Sequence, residues 1–135
     1  MPQPLAEIGD RIDLLKMTLG MFAPSEPVPI ASELVGLSEE IFEHWLIARG
    51  EAAAADTPQE ARLMALHAAA VLGEPGFGRL AAACRGAVHL RNLVAAEPEH
   101  PETGERLILA AELAGDIYSA VTRRMMGLGE PDKKP

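Results

Sequence analysis

The chain has 135 residues and a formal net charge of −8, from 20 acidic and 12 basic side chains. At that length one domain with a real apolar core is expected without disulfide or metal staples. The acidity is concentrated in residues 1–67, with 11 acidic against 4 basic side chains; it repels phosphate backbones, and aromatic residues are too scarce for base stacking, so nucleic acid is not an expected partner. Cys84 is the only cysteine. That excludes an internal disulfide and a Cys-x-x-Cys zinc site, and it points to a reducing, cytoplasmic setting. No uncharged apolar run approaches the roughly 18 residues of a membrane span, and no basic flank precedes an apolar run at the start, so neither membrane nor signal peptide is expected. Arginine outnumbers lysine nine to three and alanine is abundant, a bias that accompanies GC-rich bacterial genomes.

Residues 4–22 predict the first helix. Leu5, Ile8, Ile12, Leu15, Leu19 and Phe22 recur at spacings of 3, 4, 3, 4 and 3, a heptad seam on one stripe. Leu14, Met17 and Met21 are expected to widen that apolar face, with Glu7, Asp10, Arg11 and Asp13 off it. Prolines at 24, 27 and 29 remove backbone donors and predict a semi-rigid extended linker over residues 23–29. A break is favoured over one helix running through Gly36 at a cost of about 1 kcal/mol, so a short helix near residues 30–35 should end at Gly36. Ser38 should then cap a new helix, with Glu39 and Glu40 in its positive first turn and Leu37 stapled onto Phe42. Ile41, Phe42, Trp45, Leu46, Arg49 and Ala52 form one face of it.

Gly50, Glu51 and the four alanines after them are expected to continue or fray this helix. Thr57-Pro58-Gln59-Glu60 reads as a capping box with proline at the first helical position. The helix it starts should run to about Leu72, with Ala61, Met64, Ala65, Ala68, Val71 and Leu72 inward, and stop at a left-handed Gly73. Residues 77–97 predict a broadly apolar, central helix carrying Phe77, Leu80, Cys84, Ala87, Val88 and Arg91 on one face. Residues 102–126 predict the last helix, whose second heptad seam is Leu107, Ala111, Ala114, Tyr118, Val121 and Met125. Arg123 and Arg124 suit its negative C-terminal end.

Few residues suggest chemistry. Glu97-x-x-His100 has the carboxylate–imidazole spacing of di-iron bundles, but it lies between prolines and has no second copy. Glu40 and His44 stand one turn apart, where they can pair. Cys84 on an apolar face reads as a small core residue rather than a thiolate nucleophile. Gly73–Gly78 joins two helices and is not a phosphate loop. No catalytic residue, cofactor or metal is therefore expected.

His67 lies mid-helix and is followed by small residues, a glycine turn and Leu80-Ala81-Ala82-Ala83-Cys84. Over about 20 residues this layout resembles histidine phosphotransfer domains, which are four-helix bundles of similar size. The resemblance implies a solvent-exposed, phosphorylatable His67. The family places lysine three residues after the histidine and glycine next, where this chain has Ala70 and Val71.

The expected architecture is all-α: a bundle of four long helices plus one short helix, mostly antiparallel, with residues 1–129 as one domain and 130–135 as a disordered tail. The expected function is noncatalytic, an adaptor or regulatory protein binding another protein or itself as a homodimer. The interaction residues would be Leu5, Ile8, Ile12, Leu15 and Leu19 of the first helix and Ala111, Ala114 and Tyr118 of the last. The alternatives are a small-molecule sensor or carrier, with Met17, Met21, Met64, Met125, Met126, Trp45 and Phe42 around an apolar cavity, and a phosphotransfer-like protein using His67.

Overall fold

A computed structural model describes residues 2–51 and 57–127. They form an all-α bundle of five helices: α1 (Leu5–Met21), α2 (Pro27–Ala48), α3 (Arg62–Gly73), α4 (Ala81–Ala96) and α5 (Thr103–Met125). Single 3-10 segments, Gln59–Ala61 and Pro75–Leu80, lead into α3 and α4. The centre of the bundle is not α4, as its broad hydrophobicity suggests. It is α2, which packs against all four other helices, and α5, which packs against α1, α2 and α4.

The expected short helix at residues 30–35 does not exist separately, and the expected linker is shorter. Helix α2 begins at Pro27 and includes Pro29. Both prolines sit in the first turn, where the amides they lack have no intrahelical partner in any case. The helix then runs through Gly36. An interior glycine costs about 1 kcal/mol relative to alanine. Against it, Leu34, Val35 and Leu37 are buried on both sides of Gly36, each contributing roughly 1.5–3 kcal/mol. Burial wins. Ser38 accordingly does not cap; its hydroxyl donates to the Leu34 carbonyl one turn back, at 3.1 Å.

Helix α2 stops at Gly50 (φ 75°). The Gly50 N–H donates to Ile47 O at 3.0 Å and the Glu51 N–H to Leu46 O at 2.8 Å, the paired bonds of a Schellman motif. The left-handed glycine expected at Gly73 is here instead. Gly73 is the last helical residue of α3 and its φ is not positive. Ala52, the rest of the alanine run and the tail at 130–135 lie outside the described residues.

Helix α3 departs most from expectation. No side chain caps the Gln59–Ala61 segment or α3, which starts at Arg62. Its buried face is Leu63, Leu66, His67 and Ala70, while Leu72 is 87% exposed. Alanine satisfies either register of the 3–4 pattern; the observed one buries Leu63 and Leu66 fully and keeps Met64 and Val71 partly buried against the core, so that of the large apolar side chains only Leu72 is given up to water. Arg62 at the start of α3 bonds Glu43 at 2.7 Å, and the end of α3 lies near Arg49 and Glu51. Helix α3 thus runs beside α2 in the same sense.

A continuous α2 makes a simple prediction. Nothing lies within 4 Å of a Cβ built on Gly36. Gly36→Ala should therefore stabilise the protein by about 0.5–1 kcal/mol, read from the denaturant midpoint. A loss of stability would mean that the backbone breaks at this position.

Candidate functional site

The eight residues expected to form an interaction surface are brought together, but against one another. Ile8, Ile12, Leu15 and Leu19 of α1 are buried, as are Ala111 and Ala114 of α5; Leu5 and Tyr118 are half-buried at the margin and pack on the same core. Gly9 faces the Tyr118 ring, and Gly115 faces Ile12 and Lys16. The order of these contacts is reversed along the two helices. The two heptad seams close on each other within the chain, so neither remains open as a docking surface.

The side of α1 that is open lies opposite. Leu14, Met17 and Met21 do not widen the buried face; they are 50%, 63% and 66% exposed. Phe22, which ends the helix in extended backbone, is 64% exposed instead of completing the seam. Glu7 and Asp10 continue this outer stripe toward the N-terminus, so that Glu7, Asp10, Leu14, Met17 and Met21 recur at spacings of 3, 4, 3 and 4. Asp13 borders it. All three carboxylates are exposed, and no ion pair joins them to another described residue. Leu14, Met17 and Met21 thus line one helix face with half or more of each side chain in water, and Phe22 follows at the helix end; exposed apolar clusters of this kind on a monomer are often functional. The signal was available in the sequence as a second heptad-spaced run, offset from the first. It was hidden because Leu14, Met17 and Met21 also read as a broadening of the core stripe.

Side-chain bonds tie α1 to α2. Arg11 grips Glu33 of α2 with two bonds, at 2.6 and 2.8 Å. Ahead of α1, Glu40 accepts the Gln3 N–H at 2.7 Å and His44 Nε2 donates to the Gln3 carbonyl. Glu40 and His44 therefore clip the incoming backbone instead of forming a pair of their own.

The other candidates resolve into structure. His67 is 6% exposed. Its Nε2–H donates to the Phe77 carbonyl at 2.8 Å, and its ring meets Phe42 edge-on at 5.6 Å. It is not the exposed histidine that the phosphotransfer resemblance implies. Cys84 is fully buried, and burial pushes its thiol up to about 12 despite neighbouring Arg85; it is a protonated core residue. His100 Nδ1 accepts the Glu102 N–H at 3.0 Å, and Thr103 donates to the Glu97 carbonyl at 3.3 Å. The Glu97-x-x-His100 motif thus builds the turn into α5. Among the described residues, no three His, Cys, Asp or Glu side chains converge as metal ligands.

The methionines do not surround a cavity. Met17, Met21 and Met126 are exposed, Met64 and Met125 lie at the core margin, and Phe42 and Trp45 pack on Phe77 in the interior. An open groove of about 400 Å³ lies elsewhere, where the α1–α2 and α4–α5 turns meet, lined by Pro24, Pro27, Pro98, Pro101 and His100. Among the described residues, no helix is long and apolar enough to cross a membrane.

One buried charge was not anticipated. Glu39, expected in the first turn of a helix capped by Ser38, lies instead in the middle of the continuous α2 and is 5% exposed. Its Oε1 lies 4.0 Å from Arg62 Nε, whose Nη2 is committed to Glu43, and its Oε2 has no hydrogen-bond partner.

No family model, no curated protein and no solved structure matches this chain.

Burial raises the proton affinity of Glu39 above that of an ordinary carboxyl, outweighing the opposing fields of Arg62 and Arg91. A carboxyl raised in the folded state favours folding below the ordinary carboxylate pKa and loses that contribution as pH rises through the raised value. Glu39→Gln should therefore be more stable than the native chain at pH 7. The difference should shrink as pH falls toward the ordinary carboxylate range, when followed by denaturant unfolding at a series of pH values. A variant less stable at pH 7 would show that the ionised carboxylate is instead favourably held by Arg62.

Proposed function

We propose that this protein is a noncatalytic helical bundle that works by binding another protein, as an adaptor or regulatory subunit, through the outer face of α1. The single observation that carries this reading is the stripe Leu14–Met17–Met21 with Phe22, half or more exposed on a helix whose opposite seam is already buried. Exposed leucine, methionine and phenylalanine cost solubility, and α1 needs none of them for its own packing. Methionine suits such a surface because its unbranched thioether adapts to different partner shapes. The single buried Cys84 fits a reducing compartment, and we place the activity in the cytoplasm.

The small-molecule reading has less support, since the methionines it called on are divided between the surface and the core margin. Phosphotransfer through His67 has less still, because its Nε2 is spent on a backbone carbonyl inside the core.

A photo-activatable residue at Met17, introduced into the full chain in its native cell, should yield a discrete adduct with another protein. The same residue at Arg85, exposed on α4, should not. Absence of any adduct at Met17, with expression and folding intact, would remove the outer face of α1 as the working surface.

A further inference from the structure

Three occupants can cover the outer stripe of α1: a second copy of this chain, an anionic lipid surface, or a helix of another protein. The charges along the stripe discriminate among them. Its N-terminal half is acidic, with Glu7 and Asp10 on the stripe and Asp13 beside it, while its C-terminal half is apolar, with Leu14, Met17, Met21 and Phe22. None of the three carboxylates is paired with another described residue. Of the two cations on α1, Arg11 is bonded to Glu33 and Lys16 points to the α5 side, where it lies beside Gly115.

Self-pairing fails in both directions. Side by side in the same sense, two α1 helices would set carboxylates against carboxylates. In opposite senses centred on Met17, each Asp13 would lie against Met21 of the other copy and each Asp10 beyond it, near Pro24, losing water with no cation to replace it. An anionic bilayer is repelled by the same carboxylates and by a net charge of −8.

We infer that the outer face of α1 takes a cationic amphipathic helix of a partner protein, apolar in its N-terminal half and basic in its C-terminal half, lying antiparallel to α1. This rests on the protein-binding reading above and adds the chemistry of the partner. In this arrangement apolar side chains at i, i+3 or i+4 and i+7 settle on Leu14, Met17 and Met21. Lysines or arginines from the last turns reach Glu7, Asp10 and Asp13. Both macrodipoles are complemented: acid lies at the N-terminal end of α1 and base at the C-terminal end of the partner helix.

The test uses the full chain and a labelled synthetic helix, with leucines along one stripe of its N-terminal half and lysines along the same stripe of its C-terminal half. A counterpart carries glutamate at every lysine. Fluorescence anisotropy should show the lysine peptide binding at least about tenfold more tightly than the glutamate peptide. Asp10→Asn with Asp13→Asn should weaken it by roughly two- to fivefold per charge at low salt, with the difference fading in high salt. Met17→Ser with Met21→Ser should abolish binding while leaving the thermal melt unchanged, since both side chains are exposed.

The inference is overturned if the two peptides bind equally, or if the lysine peptide binds the Met17→Ser, Met21→Ser variant as well as it binds the native chain. It is also overturned if light scattering shows a dimer that this variant converts to monomer, which would make the occupant a second copy. If no peptide binds while the Met17 photo-adduct persists, the partner chemistry is wrong and the protein-binding reading stands. If both are absent, both fall.

Discussion

The structure depends on how closely α1 lies against α5. A Cβ on Gly9 would stand 2.6 Å from the Tyr118 ring, and one on Gly115 would stand 3.3 Å from Lys16 Nζ. From Gly115 back toward the start of α5, Ala114 and Ala111 are wholly buried. Small residues on the inner face of α5 let the larger Ile8, Ile12 and Leu15 of α1 approach its backbone, so large side chains on one helix meet small ones on the other. A seam matched this way needs no second chain. It also leaves α1 at the edge of the bundle, fastened by Arg11 on one side and by the Gln3 backbone ahead of it, with its other long face turned to water.

A similar trade of local preference for burial governs α2. Prolines, a glycine and a serine in its first half each argue for a stop when taken singly. Together they cost less than the apolar area that Ala31, Leu34, Val35 and Leu37 remove from water. Continuity has consequences further along the chain. It places Glu39 inside the bundle, and it carries α2 up to the left-handed Gly50. Helix α3 then lies along α2, with Arg62 bonded to Glu43 and His67 against Phe42. Phe42, Trp45, Phe77 and His67 gather there as the aromatic part of the core.

Much of this was legible in the sequence. The all-α class, the buried α1 seam, the inward Cys84, Ala87 and Phe77, and the extent of α5 follow from heptad spacing and from proline and glycine punctuation. Three things were not. The register of α3 was ambiguous because alanine fits every face of a helix, and only the competition among all five helices decides which side turns inward. The end of α2 was obscured by alanines after Gly50 that favour helix locally. The candidate surface was missed because an apolar stripe reads the same whether it faces a neighbour or water. Leu5, Ile8, Ile12, Leu15 and Leu19 looked available for a partner only while the Ala111–Tyr118 stretch of α5 was not known to cover them.

The claim on which the rest stands is that the α1 and α5 seams are satisfied within one chain. The most direct test is denaturant unfolding over about a hundredfold range of protein concentration, since an obligate contact between chains makes apparent stability rise with concentration by mass action. Seams closed within one chain give a single transition with a midpoint that does not move. A midpoint that climbs with concentration would show that the seams are completed by a second molecule, and the outer face of α1 would then lose its standing as the free side of that helix.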